Sequence, residues 1–204
     1  MPFDAAFMVA SHPMEKEIRV LLNVGKKVSY PCQGPCLVAP VVKRVVDGKL
    51  TEFHRLMVLD QGGGELLVPI DKAAARGIRK LVNKSEIPKL LDRLNKASAS
   101  AERWNQRARE NLILLTSGSA FDLAEIVGAL SELAETKRLQ PSDRQTLDRA
   151  KKLLACEVSE VMGETKGAAE QRIDEALGLR KGNKDIGKKA ERDWPGVEHY
   201  GEVL

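Results

Sequence analysis

The chain has 204 residues, 43% of them hydrophobic, a formal net charge of +4 and only 4% aromatic residues. That supports one large or two small domains with real cores, and no window approaches a transmembrane span. The charge is too mild for nucleic-acid affinity to arise in bulk, so any such affinity must sit in local clusters. Cys32, Cys36 and Cys156 cannot all pair, and the start Met1-Pro2-Phe3-Asp4 lacks a basic stretch before an apolar run. Both features predict a reduced, cytoplasmic setting.

Residues 1–19 carry Pro2 and Pro13 and no steady period, and are read as a loosely ordered N-terminal arm. Residues 20–82 read as short strands. Lys27–Tyr30 alternates and is broken by Pro31 and Gly34-Pro35; Leu37–Val46 is valine-rich. Asp47-Gly48 signals a hairpin, with Thr51–Leu59 as its return strand. Gly62-Gly63-Gly64 is a turn before a strand over Glu65–Ile70. Asp71–Arg76 can form one helical turn stopped by Gly77, and Ile78–Val82 can close the sheet. This punctuation predicts a small, curled antiparallel barrel.

After Val82 the period becomes helical. Ser85–Lys96 places Ile87, Leu90, Leu91 and Leu94 on one face. Ser100–Ser117 follows, with Ser100 as N-cap, Glu102 near the positive end of the dipole, and Leu112 and Leu115 as its apolar stripe; Gly118 stops it. Phe121–Lys137 turns Leu123, Ile126, Val127, Leu130 and Leu133 inward. Pro141 opens a helix to Met162 with a stripe of Leu147, Ala150, Leu153, Leu154, Val158 and Val161. Gly167–Leu177 buries Ile173 and Leu177. Residues 83–178 thus form a compact domain of five helices, and 179–204 a basic, flexible tail containing Arg180, Lys181, Lys184, Lys188, Lys189 and Arg192. The whole is α+β.

The residues offer little for catalysis. Cys32 and Cys36 supply two ligands, but His12, His54 and His199 do not complete a metal set; the default is plain thiols, with no metal or cofactor. The triple glycine lacks phosphate-loop spacing. No Ser, Cys or carboxylate has a recognisable base and orienting partner, so the chain reads as a non-enzyme, its acids solvated on polar helix faces.

A basic and aromatic constellation remains: Arg103, Trp104, Arg107 and Arg109, with Arg138 and Arg144 at the next helix junction. Two readings stand side by side. Helical spacing puts Trp104 near the line of Ala108 and Leu115, so the ring packs in the core and the arginines pair with Glu102, Glu110 and nearby acids. Alternatively the ring is an aromatic wedge among guanidinium groups that hold phosphates.

The order of parts bears on this choice. Val24-Gly25-Lys26-Lys27-Val28-Ser29-Tyr30-Pro31-Cys32-Gln33-Gly34, Leu67-Val68-Pro69-Ile70 and Gly77-Ile78-Arg79 precede Trp104-Asn105-Gln106-Arg107. Leu123–Leu130, Leu139-Gln140-Pro141-Ser142-Asp143-Arg144 and Ala150–Glu157 follow. From about Leu22 to Leu177 this resembles the CarD/CdnL family of bacterial transcription regulators. The resemblance implies a Tudor-like barrel docking on the RNA polymerase β subunit, partly by strand-to-strand contact through Arg44, Leu67, Val68 and Pro69. It also implies a helical domain whose Trp104 wedges into the minor groove at the upstream edge of the melted promoter. Arg103, Arg107, Arg109 and Arg144 would hold the DNA there without a base code. The expected protein is a monomer, cytoplasmic and nucleoid-associated. The alternative is an adaptor on polymerase or another partner that never touches DNA; a reader of modified side chains needs an aromatic cage, for which the barrel has only Tyr30 and Phe53. The chain departs from the family in having Gln33-Gly34 for His-Gly, Leu67 where a basic residue is common, and Gly128 where an arginine is common. The last departure thins the basic patch and lowers helix propensity.

Overall fold

The structure, a computed structural model, describes residues 22–60, 62–97 and 104–178. The arm, the basic tail, Ser100, Glu102 and Arg103 lie outside the described residues.

Five strands form one antiparallel sheet: β1 (Lys27–Tyr30), β2 (Gly34–Val46), β3 (Lys49–Val58), β4 (Glu65–Pro69) and β5 (Arg79–Lys80), in the order β4-β3-β2-β1-β5. Turn chemistry sets the register. Pro31 fixes the first corner of the β1–β2 turn, and Cys32 takes the left-handed corner at φ 62°. The Gln33 N–H donates to the Tyr30 carbonyl at 3.1 Å across it. Asp47 and Gly48, at φ 50° and 75°, make the tight β2–β3 hairpin that pairs Val46 with Lys49. The ladder slips between Ala39 and Val42, which is how β2 accommodates Pro40, a residue with no N–H to give. Alternating side chains then turn inward. Val28, Cys36, Val38, Leu56 and Val68 form a core closed by Leu22, Ala73 and Ile78.

Two short 3-10 turns, Ile70–Lys72 and Ala74–Arg76, stand where one helical turn is predicted, and Gly77 ends them at φ 67°. Five helices follow: α1 (Ile87–Lys96), α2 (Trp104–Ser117), α3 (Ala120–Thr136), α4 (Pro141–Met162) and α5 (166–178). An Asn83–Glu86 capping box leads into α1, the Ser119 hydroxyl accepts from the Asp122 N–H to start α3, and Gly118 and Gly163 close α2 and α4 in the left-handed region. α3 is the hub of the second core. Its Ala124, Ile126, Val127 and Leu130 are fully buried among Leu90, Leu94, Ala150, Leu154, Val158 and Ile173.

Two expectations are corrected by this packing. Gly128 is no gap in a surface patch: a Cβ there would lie 2.5 Å from the Leu94 carbonyl oxygen and 2.7 Å from the Ala97 Cβ. The end of α1 closes directly over it, so the glycine is what lets α1 and α3 approach. Leu112 does not line the core. It is 59% exposed and Ile113 is 68% exposed, because α2 turns Asn111 and Leu115, four residues apart, inward.

Candidate functional site

α4 carries the seam between sheet and helices. Glu160 meets Lys27 of β1 at 2.6 Å, and Asp60, just past β3, meets Lys152 and Lys166 at 2.7 and 3.0 Å. Leu153 packs where Gly34 leaves room. The deepest contact is Glu157, 1% exposed and bound by the Arg79 guanidinium. Reading the acids of α4 as solvated is therefore wrong for Glu157, and for Asp143 at 2% exposure. The signal was in the spacing: Glu157 falls within the apolar stripe, four residues after Leu153 and four before Val161.

At the helical end, Trp104 is the first residue of α2, and its side chain, with Arg103, lies outside the described residues. Its two neighbours in the predicted basic set separate in role. Arg107 is drawn in: its side chain is 14% exposed and pairs with Asp143 at 3.4 Å, in the first turn of α4, where the helix dipole also favours a carboxylate. A phosphate contact through Arg107 would therefore compete with Asp143. Arg109, Arg138 and Arg144 are exposed.

Among the described residues β4 pairs with β3 alone and forms one edge of the sheet, an arrangement open to strand addition. Leu67 and Pro69 are half-buried, opposite Arg55 and Phe53. Val68 faces the other way and is 2% exposed, so its side chain belongs to the barrel core. Arg44 is exposed on β2, and it and Arg55 converge on Glu65 at 3.9 and 3.7 Å. The hairpin beyond Arg44 presents Val45 and Leu50, opposite each other and about two-thirds exposed.

Burial pushes the Cys36 thiol up to about 11 and also raises that of Cys156, which sits near Asp60 and Lys166. Burial lowers His54, whose Nδ1 is enclosed without a hydrogen-bond partner. Among the described residues no three His, Cys, Asp or Glu side chains converge as a metal site would require. A cleft of about 450 Å³ between Asp60, Lys152, Lys166 and Glu170 is lined by charges that already neutralise one another.

Residues 89–174, from the first turns of α1 to the last turns of α5, match the family described as CarD, C-terminal domain. A small antiparallel barrel, which the match does not cover, precedes it. The chain carries a CarD C-terminal domain. A Tudor-like antiparallel sheet domain thus precedes a helical domain that matches CarD. The CarD match contains α2 with Trp104, Arg107 and Arg109, and Arg144 on α4; Arg44 and Leu67–Pro69 lie outside it. Among the described residues no helix is long and apolar enough to cross a membrane.

Proposed function

We propose that the protein is a non-enzymatic transcription regulator that holds RNA polymerase and promoter DNA together. The barrel docks on the polymerase β subunit through the open β4 edge and Arg44. The helical domain meets the DNA at the start of α2, where Trp104 wedges at the upstream edge of the melted promoter and slows its re-annealing. The observation that supports this reading most is the placement of Trp104 at the very start of the second helix of a CarD domain, with Arg109 exposed on the next turn. The exposed arginines supply sequence-independent attraction to phosphates. Selectivity would come from where polymerase stands and how easily the DNA opens. We place the protein in the cytoplasm, on the nucleoid, as a monomer without cofactor or metal.

One observation favours a second reading, an adaptor with no DNA contact. Arg107, central to the basic set, already has its charge matched by Asp143, while the barrel offers an open strand edge and an exposed Val45–Leu50 pair. Capture of polymerase from the native host, with and without promoter DNA, separates the two. Dual binding raises retention when DNA is present; an adaptor binds polymerase equally in both. Failure to retain polymerase in either condition contradicts both.

A further inference from the structure

Four donors from the sheet domain converge on the carboxylate of Glu157. Arg79 Nη1 and Nη2 donate at 2.6 and 2.8 Å, the Val82 N–H at 3.0 Å, and the Ser29 hydroxyl at 3.5 Å. The same Arg79 donates its Nε to the carbonyl of Gly118, the residue that ends α2. Around this point the β1–β2 turn grips that end of α2. Pro31 packs against Gly118, and the Cys32 thiol reaches the Leu115 carbonyl at 3.5 Å. Arg149 of α4 donates to the Cys32 carbonyl at 3.2 Å. One buried carboxylate and one guanidinium therefore join β1, β5, α4 and the C-terminal end of α2.

α2 has 14 residues. At 1.5 Å of rise per residue its far end, where Trp104 stands, lies ~20 Å from the clamped end. A swing of about 10° at the clamp would carry that end ~3.5 Å, close to the spacing of successive bases along a strand. An apolar seam alone resists sliding and rocking weakly. A bidentate guanidinium–carboxylate pair with two further donors is directional and fixes the angle.

We infer that Glu157 is a positioning residue: with Arg79 it sets the angle at which α2 leaves the barrel, and so places Trp104 relative to the β4 edge. The inference rests on the polymerase-and-DNA reading for its consequence in transcription, but the clamp itself is a property of the free protein.

The test uses the full chain, labelled with nitrogen-15, and residual dipolar couplings. In the parent, amides of β1–β5 and of α1–α5 fit a single alignment tensor. Glu157→Gln keeps an acceptor for the Val82 N–H but loses the charge; Arg79→Lys keeps the charge but loses the fork. Each variant should require two tensors. With polymerase and promoter DNA, each should shorten the open-complex lifetime by about tenfold while its affinity for the isolated β lobe stays within about twofold of the parent. Variants that keep one tensor overturn the clamp. Two tensors with an unchanged lifetime overturn its positioning role. A parent that does not prolong open complexes refutes the DNA reading instead, and the couplings still decide the clamp. If Glu157→Gln does not fold, Arg79→Lys carries the decision.

Discussion

Arg107 and Asp143 meet at 3.4 Å across the junction of α2 and α4, the arginine side chain 14% and the aspartate side chain 3% exposed. The pair ties a predicted DNA-contacting side chain to the fold, and it makes the two partners unequal. Asp143 is the deeper and shorter group, whereas Arg107 can swing its head to water on a long stem. Arg107→Ala should therefore destabilise the protein more than Asp143→Ala, approaching the ~3–5 kcal/mol cost of leaving a buried charge unpaired. Thermal melts of the two variants check the order.

The same pair predicts an inversion in DNA binding. With its charge already matched, Arg107 adds little to the salt dependence of association, whereas exposed Arg109 adds a full contact. Arg109→Ala should lower the salt slope by ~0.9, Arg107→Ala should leave it nearly unchanged, and Asp143→Asn, which releases Arg107, should raise it. Titrations at several salt concentrations read all three slopes.

Much of this architecture was legible in the sequence because its signals are local. Asp47-Gly48, Gly77, Gly118 and Pro141 each impose a backbone conformation that few neighbours can override, and they mark the turns and ends found. The heptad-like stripes of α3 and α4 named most of the core. What was not legible depends on partners far along the chain. The stripe of α4 marks Glu157 as inward, but its partner Arg79 lies 78 residues away, and no local pattern encodes that meeting. Leu112 is exposed because buried Asn111 takes the inward line of α2, a choice made by the neighbouring helices rather than by hydropathy. Gly128 read as a weak point in a helix, yet it is a contact, since only the path of α1 shows what lies above it.

Gly128→Ala tests that contact. Helix propensity alone would make the change stabilising by about 0.8–1 kcal/mol. The new methyl would lie 2.5 Å from the Leu94 oxygen, so overpacking at ~1–3 kcal/mol should win and the melting temperature should fall. A rise would mean that α1 gives way easily.

Burial of the thiols predicts their reactivity. Thiolate is the nucleophile, and Cys36, held near 11 with Cys156 also raised, stays protonated at pH 8. Half-buried Cys32 should label first with a thiol reagent, and all three only after denaturation. Because the folded Cys36 thiol lies above its unfolded value, its contribution to stability is complete below the ordinary thiol range and is lost as pH rises toward about 11. Chemical denaturation at pH 8 and pH 10.5 checks the fall.

For the barrel, Arg44 is exposed and, among the described residues, makes a long contact with Glu65. Arg44→Glu should weaken binding to the polymerase β lobe while leaving stability within about 0.5 kcal/mol. Unchanged affinity in a folded variant would remove Arg44 from the interface.

The central claim is that Trp104 acts on the melted promoter, and the decay of open complexes formed with Trp104→Ala tests it most directly. Base–aromatic stacking is worth ~1–3 kcal/mol, so the account predicts a roughly ten- to hundredfold loss in the open-to-closed ratio, with melting temperature and polymerase binding retained. A folded variant whose open complexes decay at the parent's rate, or one destabilised by the ~3–5 kcal/mol expected for removing a core tryptophan, would contradict it.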